Sequence, residues 1–279
     1  LVSDKEPDTS VTRLGPFTAE DIARDLCALG VTTGSTIIVH SSLSSLGYVV
    51  GGARAVVLAL LEVLGPQGTL VVPAHSSDLS DPKNWHHPPI PEAWWPTVRD
   101  AMPAYDPHLT TTRRIGVVAE MIRHLPGALR SSHPRVSFAA LGPHAQFITK
   151  DHDLVDSFGD LSPLARLYDL DAQILLLGVG HLNNTTLHLA ESRAPATRPM
   201  ILDGAPMIVE SQRQWVSYES LDYDSDDFEQ VGAALNKAGL ETQGPVGGAS
   251  SKLMLVKPVV DFATTWFEKH RTWKDAAPS

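Results

Sequence analysis

The stretch STIIVHSSLSSLGYVVGGARAVVLALLEVLGPQGTLVV, residues 35–72, decides the fold. Its head, Ser35 to Val39, is short, apolar and β-branched, which predicts a buried strand. Ala53 to Leu64 is helical in composition, Gly65-Pro66-Gln67-Gly68 supplies a turn, and Thr69 to Val72 reads as a second strand. A strand, helix, strand unit favours a parallel pair with a right-handed crossover. In open α/β sheets ligands sit at the carboxyl ends of such strands. Here that place is held by His40-Ser41-Ser42-Leu43-Ser44-Ser45-Leu46-Gly47. Small side chains let several backbone N–H groups approach an anion, and the following helix aims its amino end nearby. The loop therefore suits a pyrophosphate without needing basic charge.

Working outward toward the amino end, Thr18 and Asp21 have the spacing of a capping box. Ile22, Leu26 and Leu29 share one helical face before Gly30, so a helix is expected near 18 to 29. Residues 1–16 are expected to be disordered or extended, and residues 17–275 to form a single domain. Toward the carboxyl end, residues 81–108 form a proline- and tryptophan-rich insert of little periodicity, expected as an ordered lid or cleft wall. Gly116 to His124 reads as a short helix, and Val136 to Leu141 and Ile174 to Leu177 as strands. An antiparallel ribbon with a turn at Asp203-Gly204 follows. An acidic run, Asp222, Asp224, Asp226 and Asp227, then leads into a helix. A strand near Lys252 to Val256 and a helix opened by Pro258 close the chain.

At 279 residues with ordinary composition the chain can bury its own core without metals or disulfides. A formal net charge of −10 disfavours nucleic acid as a partner and is better matched to a cationic small molecule. The single cysteine, Cys27, has no partner for a disulfide, which fits a reducing compartment and leads to the expectation of a cytoplasmic protein. No run approaches the roughly 18 to 20 apolar residues of a membrane helix, and Leu1 to Ser10 lacks a signal-peptide pattern. A membrane is therefore not expected as a partner, and a monomer or homodimer is.

Candidate chemistry concentrates where Gly178-Val179-Gly180 opens into His181-Leu182-Asn183-Asn184-Thr185-Thr186-Leu187-His188-Leu189-Ala190-Glu191. With Asn184 as the cap of a helix beginning at Thr185, His188 and Glu191 are three apart on one face. A carboxylate beside an imidazole orients the ring and stabilises its protonated form, while the other nitrogen takes a proton. The ordinary alternative is a helical histidine with a nearby glutamate. Two further readings stand beside it. His181, His188 and Glu191 are metal-ligand types, although their spacing matches no compact zinc pattern, and no metal is expected. Ser41 or Ser42 is a candidate nucleophile with His188 and Glu191, although their neighbours His40 and Leu43 do not make a Gly-x-Ser-x-Gly elbow.

Four blocks, in order over residues 40 to 194, together resemble the aminoglycoside 3-N-acetyltransferase family. They are His40 through Gly47, Gly65-Pro66-Gln67-Gly68-Thr69-Leu70-Val71-Val72-Pro73, His133-Pro134 through Ser137-Phe138-Ala139-Ala140-Leu141-Gly142, and Gly178 through Glu191. The resemblance implies an α/β fold of the family's own type, a mixed sheet flanked by helices and distinct from the common GNAT fold. It implies acetyl-CoA in a cleft, coenzyme A as product, and an aminoglycoside beside it. The family's catalytic histidine falls on His188 with Glu191 adjoining. His40 looks like the second active-site histidine, helping to hold the tetrahedral intermediate. Ser41, Ser42, Leu43, Ser44, Ser45 and Leu46 would form the coenzyme loop, and Thr111 lies in a second coenzyme-proximal block, Thr110-Thr111-Thr112.

The acidic run falls where the family has substrate-facing carboxylates, so Asp226, Asp227 and Glu229 are candidates. Their alternative is as helix caps and solvent-facing charges. After Val72-Pro73 the family often carries a threonine, whereas this chain has Ala74, His75 and Ser76. An oxyanion-stabilising hydroxyl there falls to Ser76 or is absent. The Thr110 block also lacks the expected proline and methionine. The implied reaction is direct acetyl transfer, in a ternary complex, to the 3-amino group of a 2-deoxystreptamine aminoglycoside, with His188 as general base. A different amine substrate is the alternative within the family, and a non-catalytic binding module or a serine hydrolase the alternatives outside it.

Overall fold

In the computed structural model, which describes residues 14–86, 88–195 and 199–271, the capping box at Thr18 is closed from both sides. The Thr18 hydroxyl accepts from the Asp21 amide and the Asp21 carboxylate accepts from the Thr18 amide, so α1 (Ala19–Leu29) starts where the sequence says it should. Gly30, at φ 112, stops it with a left-handed cap. The expected segment 1–16 lies outside the described residues except for 14–16, as do residues 272–275 of the expected domain.

The decisive stretch forms β1 (Thr36–Ser41), α2 (Gly52–Leu64) and β2 (Thr69–Pro73), and β1 pairs in parallel with β2. The insert contributes α3 (Trp95–Ala101). There follow α4 (Val117–Arg123), β3 (Leu129–Arg130), β4 (Phe138–Leu141), α5 (Ala145–Thr149), α6 (Pro163–Asp169), β5 (Gln173–Leu177) and α7 (Leu187–Arg193). The chain then makes β6 (Met200–Val209), β7 (Gln212–Leu221), α8 (Phe228–Lys237), β8 (Thr242–Val246), β9 (Ala249–Leu255) and α9 (Val256–His270). The main sheet has the order β3-β4-β2-β1-β5-β9-β8, and β6 and β7 make a separate ribbon. β2, β1 and β5 are parallel at the centre, and the outer strands join antiparallel, so the sheet is mixed.

Pleating divides the strand residues between two cores. Ile37, Val39, Leu175 and Leu177 pack with α1, α2 and α4, while Ile38, Ile174 and Leu176 pack with α5 to α9. Both sheet faces are covered, which is why the central strands read as unbroken apolar runs. His40, two residues beyond Ile38, leaves β1 on the α7 side. No helix among the described residues is long and apolar enough to cross a membrane. Cys27 is exposed and free.

Two local expectations are corrected. Asp203-Gly204 is not a turn but lies within β6, and the ribbon turns at Glu210-Ser211, where φ is 49 and 64. Two consecutive left-handed residues give the hairpin the twist of its strands without a glycine. Gly204 serves close approach instead, because an added Cβ would fall 2.6 Å from the Trp215 indole nitrogen on β7. Asp203 is fully buried: its carboxylate accepts from the Asp81 amide at 2.8 Å and from Arg135 at 2.7 Å. The Asp81 bond ties the insert to the ribbon, as do Asn84 to the Leu202 carbonyl (3.1 Å) and Tyr105 N–H to the Pro206 carbonyl (2.9 Å). The described residues of the insert are thus docked on the ribbon.

The second correction concerns Asn184. It does not cap a helix starting at Thr185; it closes a short 3-10 turn, His181–Asn183, and α7 begins at Leu187. Its side chain is fully buried, with the amide nitrogen 3.5 Å from His181 Nδ1, so packing rather than capping holds it.

Candidate active site

The shift in where α7 begins leaves its key spacing intact. His188 Nδ1 lies 2.7 Å from Glu191 Oε2 within one turn of α7. An ionised carboxylate only accepts, so Nδ1 carries the proton and Nε2 keeps its lone pair. Glu191 is buried, and its other oxygen accepts from Arg271 Nη1 at 2.7 Å and from the Asp224 amide at 3.0 Å. Arg271 Nε in turn donates to Asp227 at 2.7 Å. Carboxylate and guanidinium therefore alternate from Glu191 through Arg271 to Asp227, a run of charge-assisted bonds that holds the Glu191 carboxylate in place. The imidazole stacks on Phe158, with centroids 4.7 Å apart at 11°, and Tyr223 and Phe228 pack around it. Packing and hydrogen bonding together leave the ring one orientation.

His188 faces a cleft of about 1180 Å³ at the carboxyl ends of β1, β2 and β5. β1 brings His40 to it and the end of β2 brings His75. His40 Nε2 and His75 Nε2 are both buried with no hydrogen-bond partner. Burial pushes His40 down to about 3. Burial, with the nearby His188 and His40 adding to it, pushes His75 to about 3 as well. Both rings are neutral near pH 7, and each keeps an N–H able to donate. His75 is a site residue the sequence reading passed over in favour of Ser76. Its signal was position, one residue beyond the Pro73-Ala74 end of a central parallel strand.

The Ser-rich loop lines the cleft through Ser41, Ser42, Leu43 and Ser44, and the amino end of α2 opens on the same wall through Gly52. The Ser42 hydroxyl is bonded to those of Ser45 (2.8 Å) and Ser44 (3.1 Å), which stiffens the loop. Gly178, at φ 70, lets β5 end against it: an added Cβ would lie 2.9 Å from the Ser45 Cβ. These neutral donors suit a coenzyme's phosphates and pantetheine chain.

Several expected residues stand off this wall. Leu46 is fully buried in the α1–α2 core, and Ser45 faces Gly178. Ser76 is buried and accepts from Arg130 Nη2 at 2.6 Å, so it points away from the cleft; Ser77 and His75 line it instead. Thr111 is exposed and outside the lining, which from that segment begins at Arg114. Of the acidic candidates, Asp227 is engaged by Arg271, Glu229 accepts from the Leu182 amide at 2.9 Å, and Asp226 is exposed. Neither Asp226 nor Asp227 caps α8 by a side-chain bond, and the segment meets the cleft through Tyr223 and Ser225. The insert walls a second cavity of about 490 Å³, which shares Ser77 and Arg114 with the main cleft. His181 is not beside His188: its Nε2 meets Glu241 at 2.6 Å, deep in the protein. Among the described residues no group of three or more metal-ligating side chains is gathered.

The sequence and the fold resemble those of known proteins. The family model described as aminoglycoside 3-N-acetyltransferase matches residues 38–268. The SPbeta prophage-derived aminoglycoside N(3')-acetyltransferase-like protein YokD of Bacillus subtilis is 44% identical over 253 residues, 90% of this chain and 93% of that protein. Its crystal structure superposes with a TM-score of 0.90 at 43% identity, covering 92% of this chain and 96% of that one. Aminoglycoside N(3)-acetyltransferase VII of Streptomyces paromomycinus is 38% identical over 272 residues, 91% of this chain and 93% of that protein. A structure of AAC-IIIb in a binary complex with CoASH superposes with a TM-score of 0.82 at 30% identity, covering 95% of this chain and all of the other, 100%.

Proposed function

The chain belongs to the aminoglycoside 3-N-acetyltransferase family, and on that premise we propose that it transfers the acetyl group of acetyl-CoA to the 3-amino group of a 2-deoxystreptamine aminoglycoside, by direct attack in a ternary complex. The observation that carries this reading is the buried Glu191 holding His188 Nδ1 at 2.7 Å while Nε2 is left to the cleft. Acetyl-CoA, when bound, supplies an activated thioester carbonyl. Ser41 to Ser44 and the amino end of α2 are the residues that would hold it, through the neutral donors described above.

As the lone pair of the substrate amine forms the new C–N bond, His188 Nε2 takes a proton from that nitrogen. The C–S bond then breaks, sulfur leaves with the electron pair, and the imidazolium returns the proton to give the free thiol. Glu191 stabilises the resulting imidazolium, and Arg271 holds Glu191 in place. His40 and His75, held neutral, are donors for negative charge developing in the cleft without competing for the substrate's proton. A polycationic substrate needs carboxylates at the mouth, and the segment that lines the cleft through Tyr223 and Ser225 carries exposed Asp222 and Asp226 beside them.

Release of free coenzyme A from acetyl-CoA, measured with a panel of 2-deoxystreptamine antibiotics beside simple polyamines, tests the proposal. Turnover with the antibiotics is the expected result. Silence across the panel with coenzyme binding intact would retire the substrate and favour another amine. A trapped acyl ester on Ser41 or Ser42 would retire direct transfer.

A further inference from the structure

Among the described residues lining the main cleft there is no carboxylate and there are two arginines, Arg114 and Arg135. Arg135 is already engaged, with Nη1 2.7 Å from the buried Asp203 carboxylate. Arg113, next in the chain, pairs with Asp78. Arg114 makes no ion pair among the described residues, is exposed, and lines both the main cleft and the neighbouring cavity. Its backbone sits at φ 58, the left-handed region that a side-chain-bearing residue other than Asn or Asp rarely occupies. Strain of this kind collects at ligand-binding positions, where an outlier is a prompt to look for a ligand.

Its surroundings indicate which ligand. Gly116, two residues on, lies against the Ser-rich loop, since an added Cβ there would be 3.4 Å from the Ser41 carbonyl oxygen. The segment from Arg114 to Val117 therefore runs beside Ser41 to Ser44, and all of these line the cleft. That loop and the amino end of α2 offer only uncharged donors. A chain of net charge −10 repels a polyanion such as coenzyme A, so one unpaired guanidinium beside the loop weighs heavily. The guanidinium itself repels an ammonium group, which leaves the part of the cleft lined by Tyr223 and Ser225 for the amine.

Building on the acetyl-CoA dependence argued above, we propose that Arg114 is the phosphate-binding side chain for coenzyme A, gripping its 3'-phosphate or its pyrophosphate at the mouth of the cleft. Arg114→Gly is the decisive variant, because glycine adopts φ 58 freely and the change removes the charge while easing the backbone. Its unfolding temperature is expected to equal or exceed that of the wild type. In calorimetric titrations without an acetyl acceptor, coenzyme A binding weakens about tenfold or more, as for a lost hydrogen bond to a charged group, and its salt dependence becomes shallower. Pantetheine binding stays within about twofold, since it carries no phosphate. A deficit that disappears with 3'-dephospho-coenzyme A assigns the contact to the 3'-phosphate, and one that persists assigns it to the pyrophosphate; both support the proposal. Equal coenzyme A affinity in the two proteins overturns it, as does an equal loss with pantetheine. Wild-type protein that binds no coenzyme A would sink the acetyl-CoA reading first and this inference with it, so the two failures are distinguishable.

Discussion

Two histidine–glutamate pairs, His181–Glu241 and His188–Glu191, close at 2.6 and 2.7 Å, and each carboxylate side chain is 1% exposed. Their second ring nitrogens have different fates. His181 is packed on α8 so tightly that a Cβ on Gly232 would fall 2.2 Å from its ring, and its Nδ1 faces the Asn184 amide. His188 stands on α7 with Nδ1 held, and its side chain is 15% exposed on the cleft wall. The first pair fastens the turn after β5 to α8 and β8. The second leaves its other nitrogen to the cleft. Whether a His–Glu pair can do more than brace the fold therefore depends on whether its remaining nitrogen reaches a cavity, and the pairing distance does not distinguish the two.

The contrast is most exposed to a paired measurement of turnover. For His188→Gln, kcat is expected to fall by about 10²- to 10⁴-fold, the usual contribution of a general base, while coenzyme A affinity stays within about twofold. A variant retaining near-wild-type kcat would place the base elsewhere and dissolve the distinction. His181→Gln should show the converse, with near-normal kcat per folded molecule but stability lowered by about 1 kcal/mol, read by urea unfolding. The loss is that of one buried hydrogen bond, because Glu241 keeps the Asn236 and Gln243 amides as donors. If that variant is as stable as the wild type yet slow, the roles assigned to the two pairs are reversed.

Acid should weaken the fold through the buried rings. His40 and His75 stay neutral in the folded chain down to about 3, whereas in the unfolded chain they take up protons near the ordinary histidine value of about 6.5. The unfolded state therefore binds more protons between those values. Stability from these rings is complete above about pH 6.5 and declines as pH drops toward 3, by about 2 kcal/mol per ring at pH 5. His75→Gln should flatten that decline in a series of unfolding curves, and an unchanged slope would mean that the ring is not held neutral by burial. The smallest effect is expected at Arg271→Met, which frees Glu191 from one charge-assisted bond. A roughly tenfold fall in kcat with little change in KM would mark Arg271 as positioning the base through Glu191. A rise in KM alone would make it a substrate contact.

Much of the fold was legible because local rules and tertiary demands agree in it. The Thr18 capping box, the apolar runs of β1, β2 and β5 and the Gly65–Gly68 turn each encode their element within a few residues. β8 was missed because Thr242–Val246 contains Gly244 and Pro245 and takes its strand character from pairing with β9. The two-residue β3 was invisible for the same reason, since it exists by pairing with Ala139 and Ala140 of β4. Asp203-Gly204 misled because a two-residue signal for a turn is also a signal for close packing, and only the Trp215 ring across the ribbon separates the two.

The site divides in the same way. Helical spacing in the sequence was enough to put His188 and Glu191 on one face, and the end of an apolar run enough to place His40 at the carboxyl end of β1. Side-chain direction at chain bends, and pairings between residues far apart, were settled only by tertiary structure. Ser76 turns inward to Arg130 while His75 turns to the cleft, and Asp227 is claimed by Arg271, 44 residues away. Periodicity is a local property of the backbone and is written in neighbouring residues. Whether a polar side chain ends as a brace, a base or a surface charge depends on which distant group reaches it first and on whether water or a ligand can reach what remains.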